Sequence, residues 1–145
     1  MTKQEVINQI RQAKMGHKRW VSYAKALHLG IPVDKKAVPM VETECGFGKW
    51  YYGDAAIFSD FDSFQAIEQP HSLLHNQYMQ LFKARKQPIK SGLFVSSKSA
   101  AKQKADKLDK MMGQLLQVSE MLLESLKEFE NEVKNMSDTE ISQLV

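Results

Sequence analysis

Apolar residues recur along this chain at spacings of three, four and seven, in three separate stretches. From Glu5 to about Leu29 the stripe runs through Ile10, Ala13, Trp20, Ala24 and Leu27, and His17 fills the gap in the series. Lys14, Lys18, Arg19 and Lys25 fall largely on the other side, so the stretch predicts an amphipathic helix with His17 on its inward face. Thr2 is placed to cap its start. Gly30-Ile31-Pro32 stops it, because Gly accepts a left-handed cap and Pro cannot continue the hydrogen-bond ladder.

The second stretch, from about Asp60 to Lys86, carries Phe64, Ile67, His71, Leu74 or His75, Tyr78, and Leu81 or Phe82 in the same three-four pattern. Pro70 interrupts a helix or opens one at its first turn, and it biases Gln69 away from helical angles. The expected arrangement is therefore a helix over 60–68 followed by another over 70–86. The third stretch runs from about Ser97 to Asn135, with Ala101, Leu108, Met111, Leu115, Val118, Leu122, Phe129 and Met136 at nearly coiled-coil spacing. At ~1.5 Å per residue this helix spans close to 57 Å. Part of it is expected to protrude from a one-chain bundle or to pack on a second chain, which predicts a homodimer.

Between these stretches the pattern lapses. Residues 30–44 hold two prolines and no sustained period, and they read as a connection; Gln87–Gly92 reads as a turn. Cys45–Gly53 places glycines on both sides of Phe47, each costing a helix up to ~1 kcal/mol, which suits a short aromatic-rich turn or helix. If Cys45 opens that helix, the positive end of the dipole favours its thiolate. The fold class is all-α: an antiparallel helical bundle of four to five helices, one short helix carrying the cysteine, and a long C-terminal helix. One domain is expected over 1–136, with 137–145 a flexible tail.

Composition narrows the class further. The 145 residues, 43% hydrophobic and 26% charged with 7 Gly and 4 Pro, suit one helix-rich globular domain. A formal charge of +3, from 20 basic and 17 acidic side chains, is too balanced to imply nucleic acid. A lone cysteine forms no internal disulfide, and MTKQEVINQIRQAK lacks the apolar core of a signal peptide. No run of ~18 apolar residues exists to span a membrane. The expected location is cytoplasmic, with neither nucleic acid nor membrane as partner.

The chemistry lies in the histidines. His71 and His75 stand four apart, which on a helix sets both imidazoles over one point. Two more ligands would close a tetrahedral site, and Cys45, His17 and His28 are the remaining candidates. His28 lies about three turns beyond His17, so the two cannot share one ion with the same partners. Three histidines and one cysteine make a closed, structural type of zinc shell. Hydrolytic chemistry is not expected, since HSLLH lacks the glutamate of H-E-x-x-H. A di-iron bundle needs two Glu-x-x-His pairs, and only Glu68 with His71 supplies one. An oxygen carrier of the haemerythrin kind needs more histidines than the chain has.

In the order HKRW, CGFGKW and HSLLH, over residues 17–75, the sequence resembles the chemoreceptor zinc-binding family. That family's pattern is H-x-x-aromatic or aliphatic, then C-x-hydrophobic-G-x-hydrophobic, then H-x-x-x-H, with gaps of some two dozen residues. The resemblance implies Zn2+ bound by His17, Cys45, His71 and His75, with Trp20, Phe47, Gly48 and Trp50 packed around them and Cys45 the redox-sensitive group. It implies a sensory module, not an enzyme. Such modules respond to zinc or to oxidants such as hypochlorous acid, and pass the change to a signalling partner such as a chemoreceptor or diguanylate cyclase. Here it would be a stand-alone member. The alternative is a zinc-stapled structural adaptor without a sensing role.

Overall fold

The computed structural model describes residues 1–34, 41–90 and 92–144. In chain order the elements are α1 (Lys3–His28), α2 (Gly46–Tyr51), a 3-10 helix (Asp54–Phe58), α3 (Asp62–Gln65), α4 (Glu68–Lys86), α5 (Ser97–Asn135) and α6 (Asp138–Ser142). Among the described residues the only β pairing is one bridge between Gly92 and Val95. The protein is the all-α bundle that the periodicity predicts, with the long helix at its C-terminal side. Of the connection expected over 30–44, Lys35–Met40 lie outside the described residues, as do Ser91 of the predicted turn and Val145 of the predicted tail.

α1 begins on a capping box: the Thr2 hydroxyl accepts from Glu5 N–H at 3.3 Å, and Glu5 Oε2 accepts from Thr2 N–H at 2.7 Å. Two of the donors that a helix start leaves unpaired are satisfied this way, for about 1 kcal/mol. It ends at Gly30, whose φ of +78° is the left-handed stop the sequence predicts. The inward face carries Val6, Ile7, Ile10, Ala13, His17, Trp20, Val21 and Ala24, the predicted stripe widened by its neighbours.

Three long helices enclose the core. Lys3 Nζ donates to the Met136 carbonyl at 2.8 Å, and His28 pairs with Asp109 at 2.8 Å, so α1 runs antiparallel to α5. The Ser63 hydroxyl donates to Glu132 just ahead of α4, and Lys104 Nζ donates to the Arg85 carbonyl near its end. α4 is thus also antiparallel to α5 and runs parallel to α1. Leu115, Leu122, Leu126, Phe129 and Val133 of α5 are fully buried between them. The length of α5 predicts protrusion. Its buried stripe runs from Leu108 to Val133, where α1, α3 and α4 flank it, while the turns ahead of Leu108 are largely exposed apart from Ala100.

The break before the histidine pair falls earlier than Pro70. α3 ends at Gln65 and α4 starts at Glu68, with the turn at Ala66–Ile67. Pro70 is the third residue of α4, where a backbone donor has no partner to lose. The first ladder bond to follow, His71 N–H to the Ile67 carbonyl, is 3.1 Å. The C-terminal residues also differ from a frayed tail. Ser137 and Glu140 form a second capping box, α6 follows, and Ile141 is fully buried in the core. A single apolar residue after a cap, with no repeat to extend it, carries no periodic signal.

Candidate metal centre

α1 and α4 lie side by side, and the inward stripe of each is broken by histidine: His17 on α1, His71 and His75 on α4. Apolar residues above and below hold these rings away from water, so they are 5%, 0% and 1% exposed. α2 closes the open side. Its N-cap is Cys45, itself buried. One ligand-type atom from each of the four residues lies within 4.8 Å of the others, a set that could hold a metal ion.

The local chemistry prepares each group. His17 Nδ1 donates to the Ala13 carbonyl one turn back at 2.8 Å, which fixes the proton on Nδ1 and leaves Nε2 with a lone pair. Such a bond from the distal nitrogen is the usual support for a ligating histidine. His71 Nε2 is 3.3 Å from Cys45 Sγ, and its Nδ1 is buried without a hydrogen-bond partner. Desolvation pushes His17 down to about 4, opposed by the Ala13 bond and aided by the charge of His75. Desolvation, with His17 and His75 close by, pushes His71 down to about 3. Both rings are neutral near pH 7, the form that binds metal.

Cys45 departs from the expectation that the helix end favours its thiolate. Its sulfur does accept from Gly48 N–H at 3.1 Å, and it lies 3.3 Å from the Glu42 carbonyl. Burial nevertheless outweighs the bonds from Gly48 and Phe47, and the thiol is pushed up from its ordinary value. A six-residue helix offers too little dipole to offset that desolvation. A divalent cation held among the four donors would supply the missing charge, because a coordinating thiol is deprotonated outright. The residues fit such an ion: tetrahedral zinc bonds of the usual lengths put neighbouring donors about 3.3–3.6 Å apart, which the Cys45–His71 spacing of 3.3 Å matches and the wider spacings, up to 4.8 Å, reach with small side-chain shifts.

Aromatic rings wall the cluster. The Trp20 ring lies 4.6 Å from that of His75 and 4.4 Å from that of Tyr78, while Phe47 meets His71 edge-on at 5.0 Å and His17 at 5.6 Å. Trp50 stands behind Phe47, at 5.9 Å. The Tyr51 hydroxyl donates to the Phe64 carbonyl at 3.0 Å, tying α2 to α3. Gly48 has no room for a side chain, since a Cβ there would fall 1.7 Å from the Glu42 carbonyl oxygen. His28 is elsewhere, paired with Asp109.

Sequence reasoning passes over two contributors. Tyr78 is legible only as one more stripe residue. Glu42, whose carbonyl meets Cys45 and whose carboxylate accepts from Ser72 at 3.3 Å, lies in a stretch without period. A cleft of about 350 Å³, lined in part by Gln12, Gly16, Arg19 and Phe47, reaches His17, Cys45 and His75 from the surface.

An all-α bundle closed around a buried three-histidine, one-cysteine set defines a class of helical domain built to take a divalent metal. Residues 17–82 match the family model described as the chemoreceptor zinc-binding domain, a segment that contains all four donors. The match covers 66 of the 145 residues, and it is this segment that is similar to the family. No curated protein and no solved structure matches the chain significantly.

Proposed function

We propose that His17, Cys45, His71 and His75 bind one zinc ion and that the domain is a regulatory module reporting zinc availability or oxidant to a signalling partner. The observation that carries this is the convergence of four buried donors, from α1, α4 and the start of α2, within 4.8 Å. Zinc, when bound, supplies the positive charge that keeps Cys45 as a thiolate. The rest is the chain's own work. Trp20 and Phe47 exclude water from the rings, the Ala13 carbonyl orients His17, and Gly48 N–H holds the sulfur in place.

Cys45 is the one thiol in the chain and lies on a short segment between long helices, so chemistry there has leverage. Attack of its sulfur on hypochlorous acid gives a sulfenic acid: sulfur loses two electrons and gains the hydroxyl, and chlorine leaves as chloride. The cleft beside Gly16 is the route for a molecule of that size. Losing the sulfur donor would free α2 from α1 and α4 and bias how the two histidine-bearing helices sit. A chemoreceptor or a diguanylate cyclase is the kind of partner this reading supplies, within or beside a homodimer. The cytoplasm suits it, since a reducing compartment keeps a single thiol in the form that can ligate zinc.

The test is metal content of the purified chain, repeated for Cys45→Ser and after stoichiometric hypochlorous acid. One zinc per wild-type chain, weakened retention in the variant, and zinc release with altered helix packing on oxidation support the reading. Zinc that survives oxidant without a change in packing would instead leave a structural staple. No zinc in the wild type would remove the whole proposal.

A further inference from the structure

The end of the bundle farthest from α6 carries charge and apolar surface that the metal centre does not use. Residues 83–110 hold nine Lys or Arg against two Asp, while 111–145 hold two Lys against seven Asp or Glu. Because α5 runs the length of the molecule, this sequence asymmetry becomes a dipole along the bundle, basic where α4 ends and α5 begins. At that same end the turn between α4 and α5 presents Leu93 and Phe94, which are 100% and 99% exposed. Ile89 nearby is half exposed, and Leu29 and Ile31 stand out from the end of α1. The end of α1 lies against the last turns of α4, at the same end of the bundle: a Cβ on Gly30 would meet Arg85 Nη2 at 2.6 Å.

Two adjacent bulky apolar side chains at full exposure are costly to keep in water unless something covers them. Shape and charge select the cover. The pair sits on a convex turn closed by the Gly92–Val95 bridge, and its flanking cations, Lys86, Lys90, Lys98 and Lys102 among them, come from α4, the turn and α5. A diffuse positive rim around an apolar tip matches a flat, diffusely negative, deformable surface with an apolar interior. A protein partner would need a socket for the tip and fixed carboxylates around it. The acidic opposite end points the basic end at such a surface and repels the wrong approach.

We infer that this end of the bundle docks on the surface of an anionic lipid bilayer, with Leu93 and Phe94 inserted at the headgroup boundary and the surrounding lysines on the lipid charges. No helix among the described residues is long and apolar enough to cross a membrane, and none is needed to lie on one. The expectation of no membrane partner rests on spans and total charge, and neither of these registers where along the bundle the charge lies. The inference is independent of zinc.

The experiment is co-sedimentation of the full chain with vesicles of phosphatidylcholine alone and of an equimolar mixture with phosphatidylglycerol. The wild type is expected to pellet with the mixed vesicles, to stay in solution with the neutral ones, and to lose binding as salt is raised. Leu93→Ser with Phe94→Ser, and separately Lys90→Glu with Lys98→Glu, are expected to weaken binding by roughly tenfold or more. Both pairs lie on exposed positions, so circular dichroism should match the wild type. Phe94→Trp supplies a direct reading, a blue-shifted emission with mixed vesicles. No binding to mixed vesicles, equal binding to neutral ones, undiminished binding by the serine variant, or no shift from the tryptophan would each overturn the inference. A chain that ignores vesicles yet binds an acidic peptide would transfer this surface to a protein partner.

Discussion

Gly48 holds Cys45 from within the same turn: its backbone N–H donates to the sulfur at 3.1 Å, while its α-carbon faces the Glu42 carbonyl that also lies against that sulfur. The sulfur's position is therefore set by backbone on two sides, and the glycine is required by space and not by an unusual φ. Gly48→Ala puts a methyl 1.7 Å from a backbone oxygen, so the 42–48 segment has to move. The expected loss is about 2–4 kcal/mol of stability together with weakened zinc retention. Thermal unfolding and a competition against a zinc chelator, run side by side with Cys45→Ser, check both.

Gly16 faces the cleft, and a Cβ added there would meet nothing within 4 Å. Gly16→Leu should fill the mouth of the route to Cys45 and favour α1 by roughly 0.5–1 kcal/mol. Zinc stoichiometry should be unchanged while oxidation of Cys45 slows. Stopped-flow zinc release after mixing with hypochlorous acid measures it, and an unchanged rate would show that oxidant reaches the sulfur by another path.

Glu130 is the charged residue most deeply set in the α1–α5 contact, with Arg11, Lys14 and Lys134 around it. Desolvation pushes its carboxyl up, but the hydrogen bonds from Lys134, Lys14 and Arg11 outweigh this and hold it at about 2, against an ordinary 4.5. A carboxyl depressed on folding stabilises fully above the unfolded value, and the gain is lost as pH falls from 4.5 through about 2. Its partners are partly exposed, which places the gain at about 1–2 kcal/mol. Glu130→Gln should cost that amount at neutral pH, with the gap to wild type closing in the acid range in urea titrations.

His28 is predicted to be inert toward metal. Its ring pairs with Asp109 at 2.8 Å at the far end of α1, and Asp109 is largely exposed. His28→Ala should leave zinc content at the wild-type value and cost about 1 kcal/mol or less. Loss of zinc in this variant, measured by atomic absorption, would mean the donor set has been misassigned.

How much of the fold and the centre is legible in the sequence depends on repetition. Wherever burial recurs every three or four residues, as from Ile10 to Ala24 or Phe64 to Leu81, the element and its inward face follow from the spacing. The gathering of His17 with His71 and His75 follows too, because each occupies an inward slot of such a stripe. What spacing does not encode is a single contact. Ile141 enters the core on one turn, Glu42 meets Cys45 through a carbonyl, and Pro70 is tolerated two residues inside α4 because no donor is needed there. The raised Cys45 thiol escapes sequence reasoning for a related reason: the local sequence shows the helix start, whereas the burial that outweighs it comes from α1 and α4.

The central claim is that three imidazoles and one thiolate share a single zinc ion. Zinc X-ray absorption on the purified chain measures the shell directly. The account predicts one zinc per chain with three nitrogen neighbours and one sulfur neighbour, at about 2.0–2.1 Å and 2.3 Å, and loss of the sulfur signal in Cys45→Ser. A shell without sulfur in the wild type, or a chain purified and reconstituted without retaining zinc, would contradict it.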